Sequence, residues 1–402
     1  MLVEFTKTAL CLWLLFSSVN VLAENLCFIS KEAISEASLI RGLKALKDVP
    51  CLSHSKAEIK KAILQSIKEK IPDSKLKAEE SLYKILGLLP EDFNYKKGIV
   101  DLYLSQLGGY YDPKRDFFVM ADWIPAQLQI TVAIHELTHA LQDQHFNLDA
   151  ITDNVGRSTD ELLARTALIE GDATAVMLDY SRLLSNMPKL SEENDVSSFI
   201  FSSTAAVEFL SQNSNVPQSM KAFLIFPYTT GLKFVHFLLK RGGYKEVNKA
   251  YKRLPGSTEE ILHPEKYLAK KRDYIIPTLP DSFSNLPMRY KDTIGEFGVS
   301  VLCSQHLKGS KMCLAAANGW GGDRVGLYYA NGGKAAAVLW KTSWDSKNDA
   351  EEFFLMMKDL LSKRYGPTKS TSKEALSFAS KGVKAFISKE KARVTVVFNR
   401  NP

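Results

Sequence analysis

Histidine and cysteine are scarce in this chain, seven and five in 402 residues, so a pair of histidines at ligand spacing stands out against a thin background. Charge of one sign is not concentrated either. The net charge is a mild +7 and the lysines are scattered rather than grouped with aromatics, which leaves no nucleic-acid footprint and at most a weak pull toward anionic surfaces. Internal repeats and low-complexity tracts are missing, and 45% of residues are apolar, so the chain is neither a solenoid nor mainly disordered. It is long enough for two domains, each with its own core. Past the N-terminus, no apolar run reaches the ~20 residues that a bilayer span needs, so no integral membrane span is expected after the leader.

That leader is the exception. Thr8 to Phe16 is mostly apolar, and Val21-Leu22-Ala23 puts small residues where a signal peptidase reads, so residues 1–23 are expected to be a cleaved secretion signal. An uncleaved anchor is the alternative, for which the apolar run is short. Glu24-Asn25-Leu26 before Cys27 does not form a lipoprotein cleavage box. Removing 1–23 takes one Lys and one Glu, so the charge stays +7. Cys27, Cys51, Cys303 and Cys313 remain. An even number in an exported, periplasmic or extracellular protein points to two disulfides, and proximity favours Cys27–Cys51 and Cys303–Cys313, with three pairings open and free buried thiols as the alternative.

Along the chain, residues 24–94 read as a helical segment, Lys31–Leu46, Lys56–Lys70 and Leu76–Leu88, broken by Pro50 and Pro72: a cap or prodomain-like bundle that could cover a cleft. Residues 95–285 read as the core. A helix from Tyr95 to Gly108 leads into apolar runs on either side of Asp112-Pro113-Lys114-Arg115, which predicts a β-hairpin over Gly109–Met120. It could be an ordinary core hairpin, or a cleft wall whose free edge binds an extended peptide through its main chain. Residues 185–203 read as a loop, and helices are expected at Thr204–Gln212, Thr229–Arg241 and Lys245–Leu254. The Pro-, Ser- and Asn-rich stretch Asp281–Arg289 marks a boundary. Residues 286–402 then read as a small antiparallel sheet with helices on one face, with hairpins at Val325–Tyr329 and Ala335–Trp340 and at Val383–Ile387 and Arg393–Phe398. The fold class expected is α+β, predominantly helical, with a smaller α+β C-terminal domain.

The chemistry is concentrated in His135-Glu136-Leu137-Thr138-His139-Ala140-Leu141-Gln142-Asp143. Helical residues four apart lie about 40° apart around the axis and roughly 6 Å along it, so His135 and His139 can converge on one metal with Glu136 beside them. Apolar neighbours Val132, Ala133, Ile134, Leu137, Ala140 and Leu141 describe a buried helix with a polar stripe rather than a chance match on a solvated one. Downstream, Ile169-Glu170-Gly171-Asp172-Ala173 sets a carboxylate among small and apolar residues, where it is costly to bury unless paired or bound to metal. Glu170 is the candidate third ligand, 31 residues after His139, with ordinary solvation or helix packing as the alternative.

With His135, Glu136, His139 and Glu170 in this order, the chain resembles the gluzincin branch of zinc metallopeptidases. HELTHA matches the thermolysin-like form of the motif, and the Glu170 segment looks closer to the aminopeptidase-like branch; the likeness covers roughly residues 100–180. It implies a zincin-like core binding one Zn²⁺ through His135, His139 and Glu170. It also implies that Glu136 is the general base that deprotonates water for attack on a peptide or protein substrate and returns the proton to the leaving amine. Asp143, one turn beyond His139, is placed to hold a ligand imidazole, with Asp172 competing for that role. Thr174 stands where the thermolysin pattern has an aspartate. A later donor to the oxyanion is expected from Tyr228 or His263, each of which could instead be a satisfied core tyrosine or a capping histidine. Two other classes stay open: a non-catalytic zinc-binding cell-envelope protein, and a zinc hydrolase acting on a cell-wall amide or other non-peptide substrate.

Overall fold

The computed structural model describes residues 27–210, 215–269, 272–330, 333–380 and 382–400. The expected secretion signal, residues 1–23, lies outside the described residues. The chain folds as a mixed α+β protein.

The N-terminal segment is mostly helical and packs into the core. Helix α1 (Ser30–Arg41) stops at Gly42 in the left-handed region, φ 70°, instead of continuing to Leu46. Helix α2 (Lys56–Lys70) starts on a capping box between Ser55 and Glu58. Helix α3 (Asp73–Leu86) follows Pro72, and α4 (Tyr95–Gln106) is capped by Asn94. Between α1 and α2 lies a strand that the helical reading missed, β1 (Cys51–His54), which pairs in parallel with β3 (Phe117–Ala121). The expected hairpin partner β2 (Gly109–Asp112) pairs antiparallel with β3, so β2 forms one edge of a three-stranded sheet. Its turn is held by Asp112 Oδ1, which accepts from Lys114 N and Arg115 N. The Cys27–Cys51 disulfide ties the start of α1 to β1, and Arg41 at the end of α1 is fully buried.

The metal-motif helix is α5 (Ala126–Phe146), followed by short α6 (Leu148–Ile151) and by α7 (Thr159–Leu184), which carries Glu170. The expected loop at 185–203 gives way to α8 (Ser197–Leu210). Next, α9 runs from Gln218 to Gly242, eleven residues earlier than the expected start at Thr229, and holds Pro227 inside it. A proline there loses one helical hydrogen bond, but Phe226, Pro227 and Tyr228 are all buried, and that packing offsets the loss. By length and composition α9 could cross a bilayer, although 67% of its most apolar window is buried within the protein. Helices α7 and α9 meet backbone to backbone. A Cβ on Gly171 would lie 2.3 Å from Gly231 C and O, and one on Gly231 would lie 2.2 Å from Ala167 O. Helices α10 (Tyr244–Lys252), α11 (Thr258–Leu262) and α12 (Pro264–Leu268) close this half.

The C-terminal part holds an eight-stranded antiparallel sheet, larger than expected, in the order β4-β5-β6-β7-β11-β10-β9-β8. Its strands are β4 (Ser282–Phe283), β5 (Leu286–Asp292), β6 (Trp320–Tyr329), β7 (Ala335–Trp344), β8 (Lys369–Ser372), β9 (Ala375–Ser380), β10 (Val383–Glu390) and β11 (Arg393–Arg400). Helices α13 (Gly295–His306), α14 (Ser310–Ala317) and α15 (Lys347–Tyr365) intervene, the Cys303–Cys313 disulfide joins α13 to α14, and Phe353 of α15 packs on Trp340 and Trp344. The two disulfides have the pairing that proximity favoured and are consistent with an exported protein. One continuous core runs from Ala33 and Ile59 to Val338 and Phe398, so the boundary near Asp281–Arg289 is no gap in packing. Arg364 of α15 fastens the two parts by donating to Ile85 O and Leu86 O at the end of α3.

Gly231→Ala should destabilise the fold by at least about 1–3 kcal/mol, because backbone cannot give way to a methyl group as a side-chain tip can. The denaturation midpoint measures this, and an unchanged midpoint would contradict the close α7–α9 crossing.

Candidate metal centre

Three lone-pair donors from two helices converge in the core. On α5, His135 Nε2 and His139 Nε2 are 3.1 Å apart, and Glu170 Oε2 on α7 is 3.2 Å from each. A tetrahedral ion with bonds of about 2.0–2.1 Å holds its ligand atoms about 3.3–3.4 Å apart, so this near-equilateral triangle has the size of one face of such a site. The group could hold a metal ion. His135 Nδ1 and Glu170 Oε1 are buried without hydrogen-bond partners, a cost that structures tolerate mainly where function demands it.

Each donor is positioned by its surroundings. Spacing by four on α5 stacks the imidazoles edge to face, centroids 4.8 Å apart. Glu170 is brought in by the Gly171–Gly231 contact, which lets α9 approach α7 at the residue beside the carboxylate. His139 Nδ1 lies 2.8 Å from Gln142 Oε1, and Gln142 Nε2 donates to Ile169 O and Asp172 Oδ2. Because the Gln142 amide nitrogen is committed to those acceptors, its oxygen faces the ring, so Nδ1 carries the proton and Nε2 presents a lone pair to the triangle. Asp172 is held in turn by Arg41 Nε at 2.7 Å and Tyr251 OH at 2.9 Å, and the Arg41 guanidinium lies over the Tyr244 ring.

Charge balance follows this geometry. Burial lowers the pKa of His135. Burial also opposes charge on His139, but Glu170 and then Glu136 outweigh it and raise its pKa to about 9. Burial works against the Glu170 carboxylate as well, yet His139 and His135 hold it below the usual range. The Glu170 carboxylate therefore favours positive charge beside it.

Glu136 is fully buried and accepts from Tyr111 N of β2 at 2.9 Å, so the carboxylate is anchored to the edge strand beside the triangle. Tyr228 of α9 stacks on the His135 ring, centroids 6.1 Å apart; burial and then the Glu170 charge push its phenol well above the ordinary range. Asp172 acts on His139 through Gln142. Asp143 accepts from Tyr111 OH and Leu148 N, while Gln142, three residues after His139, lies by the ring at Nδ1. His263 is also elsewhere. It precedes α12, lies 2.8 Å from Glu296, and has Glu296, Glu265 and Lys266 as charged neighbours, none of them in the cluster. Sequence reasoning missed Gln142, Arg41, Tyr251 and Tyr111. Gln142 alone carried a local signal, one turn beyond His139; the others come from other elements.

A family model described as a domain of unknown function (DUF8575) matches residues 286–401, which hold β5 through β11 and none of the cluster. No curated protein and no solved structure matches the chain.

Gln142→Ala should weaken any divalent-metal binding at the cluster by about 10–100-fold, the usual effect of removing a group that orients a ligand. Competition with a chelator reads this. Unaltered affinity in a folded variant would mean that the amide does not orient His139.

Proposed function

We propose that the protein is an exported zinc metallopeptidase of gluzincin type. The observation that carries the reading is the His135–His139–Glu170 triangle with a buried, non-ligating Glu136 beside it. Two imidazoles and one carboxylate form a donor set suited to Zn²⁺, whereas Ca²⁺ takes 6–8 oxygen ligands. Three protein donors are the number found in catalytic zinc sites, which keep a position for water, while structural sites are closed by four.

The bound ion would supply Lewis acidity, acidifying water and polarising a substrate carbonyl. Glu136, fixed by Tyr111 N–H, takes a proton from the attacking water and hands it to the leaving amine. Tyr228, whose phenol is hydrogen-bonded to Glu170 and is pushed above its ordinary range first by burial, would turn its O–H from that carboxylate to the oxyanion. Gln142 and Asp172 hold His139 in its ligating tautomer.

One observation favours a competing reading, a non-catalytic zinc clamp: His135, Glu136 and Glu170 are 0% exposed and His139 is 1% exposed. Under the peptidase reading the cover around the cluster must open to admit substrate. Tyr111 of β2 and Tyr228 of α9 belong to that cover.

The two readings separate on one comparison. Glu136→Gln should retain the zinc of the unmutated chain and lose cleavage of a broad peptide library, because an amide cannot accept the proton; a clamp would cleave nothing in either form. Glu170→Ala should lower zinc occupancy, and full retention would move the third ligand elsewhere. Tyr228→Phe should lower kcat by about 10²–10³ with KM little changed, the size expected for one oxyanion donor; an unaffected kcat would remove it from that role.

A further inference from the structure

A second site lies away from the metal cluster, in a cleft of about 760 Å³ between α3 and the end of β6 with the start of β7, bounded also by β5 and the end of β11. Its charge is lopsided. Lys77 and Lys84 of α3, Arg289 of β5, Lys334 before β7 and Arg400 of β11 line it, against Glu80 as the one lining acid. Lys84 is paired with Glu80 at 2.7 Å, and Arg400 with Glu91. Lys77, Arg289 and Lys334 are exposed and have no carboxylate partner among the described residues. Behind the cleft, Arg364 is a further cation, whose pKa is lowered by burial and by Arg400. Three unpaired cations on opposing walls, backed by like charge, create a positive potential that like-charged groups on one protein surface do not relieve.

The floor is not charged. Ala335 contributes apolar surface and Tyr329 an aromatic ring, both partly exposed, with Ala78 and Ile85 buried beneath. Single aromatic rings and methyl groups between separated cations suit a ligand with a carbon backbone between its charges. A run of bases needs successive stacking platforms, and the cleft offers one. We propose that this cleft binds a polyol phosphodiester chain, in which each negative charge is separated from the next by a short carbon segment. Lysine tips meet phosphates as point charges, Arg289 meets one through its planar fork, and the glycerol-like carbons lie on Tyr329 and Ala335. This site is independent of the metallopeptidase reading and would stand if that reading failed.

The test is binding of fluorescently labelled poly(glycerol phosphate) to the full mature chain at low salt. Expected are saturable binding that weakens tenfold or more when salt rises from tens to hundreds of millimolar, and a further loss of tenfold or more in K77E/R289E/K334E. All three residues are exposed, and an unchanged circular dichroism spectrum and thermal midpoint check the variant's fold. Competition arms decide the chemistry. Inorganic phosphate, poly-glutamate or a single-stranded oligonucleotide that competes as well as the unlabelled polymer overturns the assignment. So does undiminished binding by the triple variant, or no binding by the unmutated chain. A two- to three-fold loss in K334A alone, with the order polymer over poly-glutamate kept, supports it.

Discussion

One buried carboxylate organises the surroundings of the candidate metal centre. Asp172 of α7 accepts from Arg41 of α1, Gln142 of α5 and Tyr251 of α10, so four helices meet at a single negative charge with no exposure to solvent. A carboxylate buried alone would cost several kcal/mol; paired with Arg41 and hydrogen-bonded twice more, it becomes a fixed point. Removing one partner of such a pair typically costs about 3–5 kcal/mol. The same charge fixes the Gln142 amide, which fixes the His139 tautomer. Fold and chemistry are therefore coupled through one residue, two positions from the candidate ligand Glu170.

That coupling explains why the N-terminal segment belongs to the body of the protein. A detachable inhibitory cap would rest on the surface of a finished core. Here α1 delivers Arg41 into the core, β1 completes the sheet with β3, and the Cys27–Cys51 bond locks the two together. Without α1, Asp172 would be buried with no cation beside it. The opposite side of the cluster rests on a steric condition, since Gly171 and Gly231 let α7 and α9 approach at van der Waals distance and bring Tyr228 against His135.

What the sequence made legible was local. His135, Glu136 and His139 are joined by helical periodicity, and Glu170 announced itself as a carboxylate among small apolar neighbours. The hairpin β2–β3 followed from turn chemistry and the disulfides from spacing. What stayed hidden was set by distance along the chain. Arg41 and Asp172 are 131 residues apart, and nothing in either neighbourhood signals the other. Asp143 was one residue away from the right answer: at i+4 from His139 it shares the helix face, but Gln142 at i+3 reaches the ring while Asp143 turns to Tyr111 and the start of α6. Strands β1 and β8 are short and polar, Cys-Leu-Ser-His and Lys-Ser-Thr-Ser, and take their conformation from the strands they pair with rather than from an alternating pattern. Pro227 reads as a break because propensity is local, whereas burial on both sides carries α9 through it.

The central claim is that three side chains from α5 and α7 grip one zinc ion and leave a coordination position for water. Anomalous diffraction at the zinc edge from crystals of the protein tests it most directly. The account predicts a single peak at about 2.0–2.1 Å from His135 Nε2, His139 Nε2 and a Glu170 oxygen, with no fourth protein donor. A peak coordinated by an additional side chain, or no peak between these three residues in zinc-replete crystals, would contradict it.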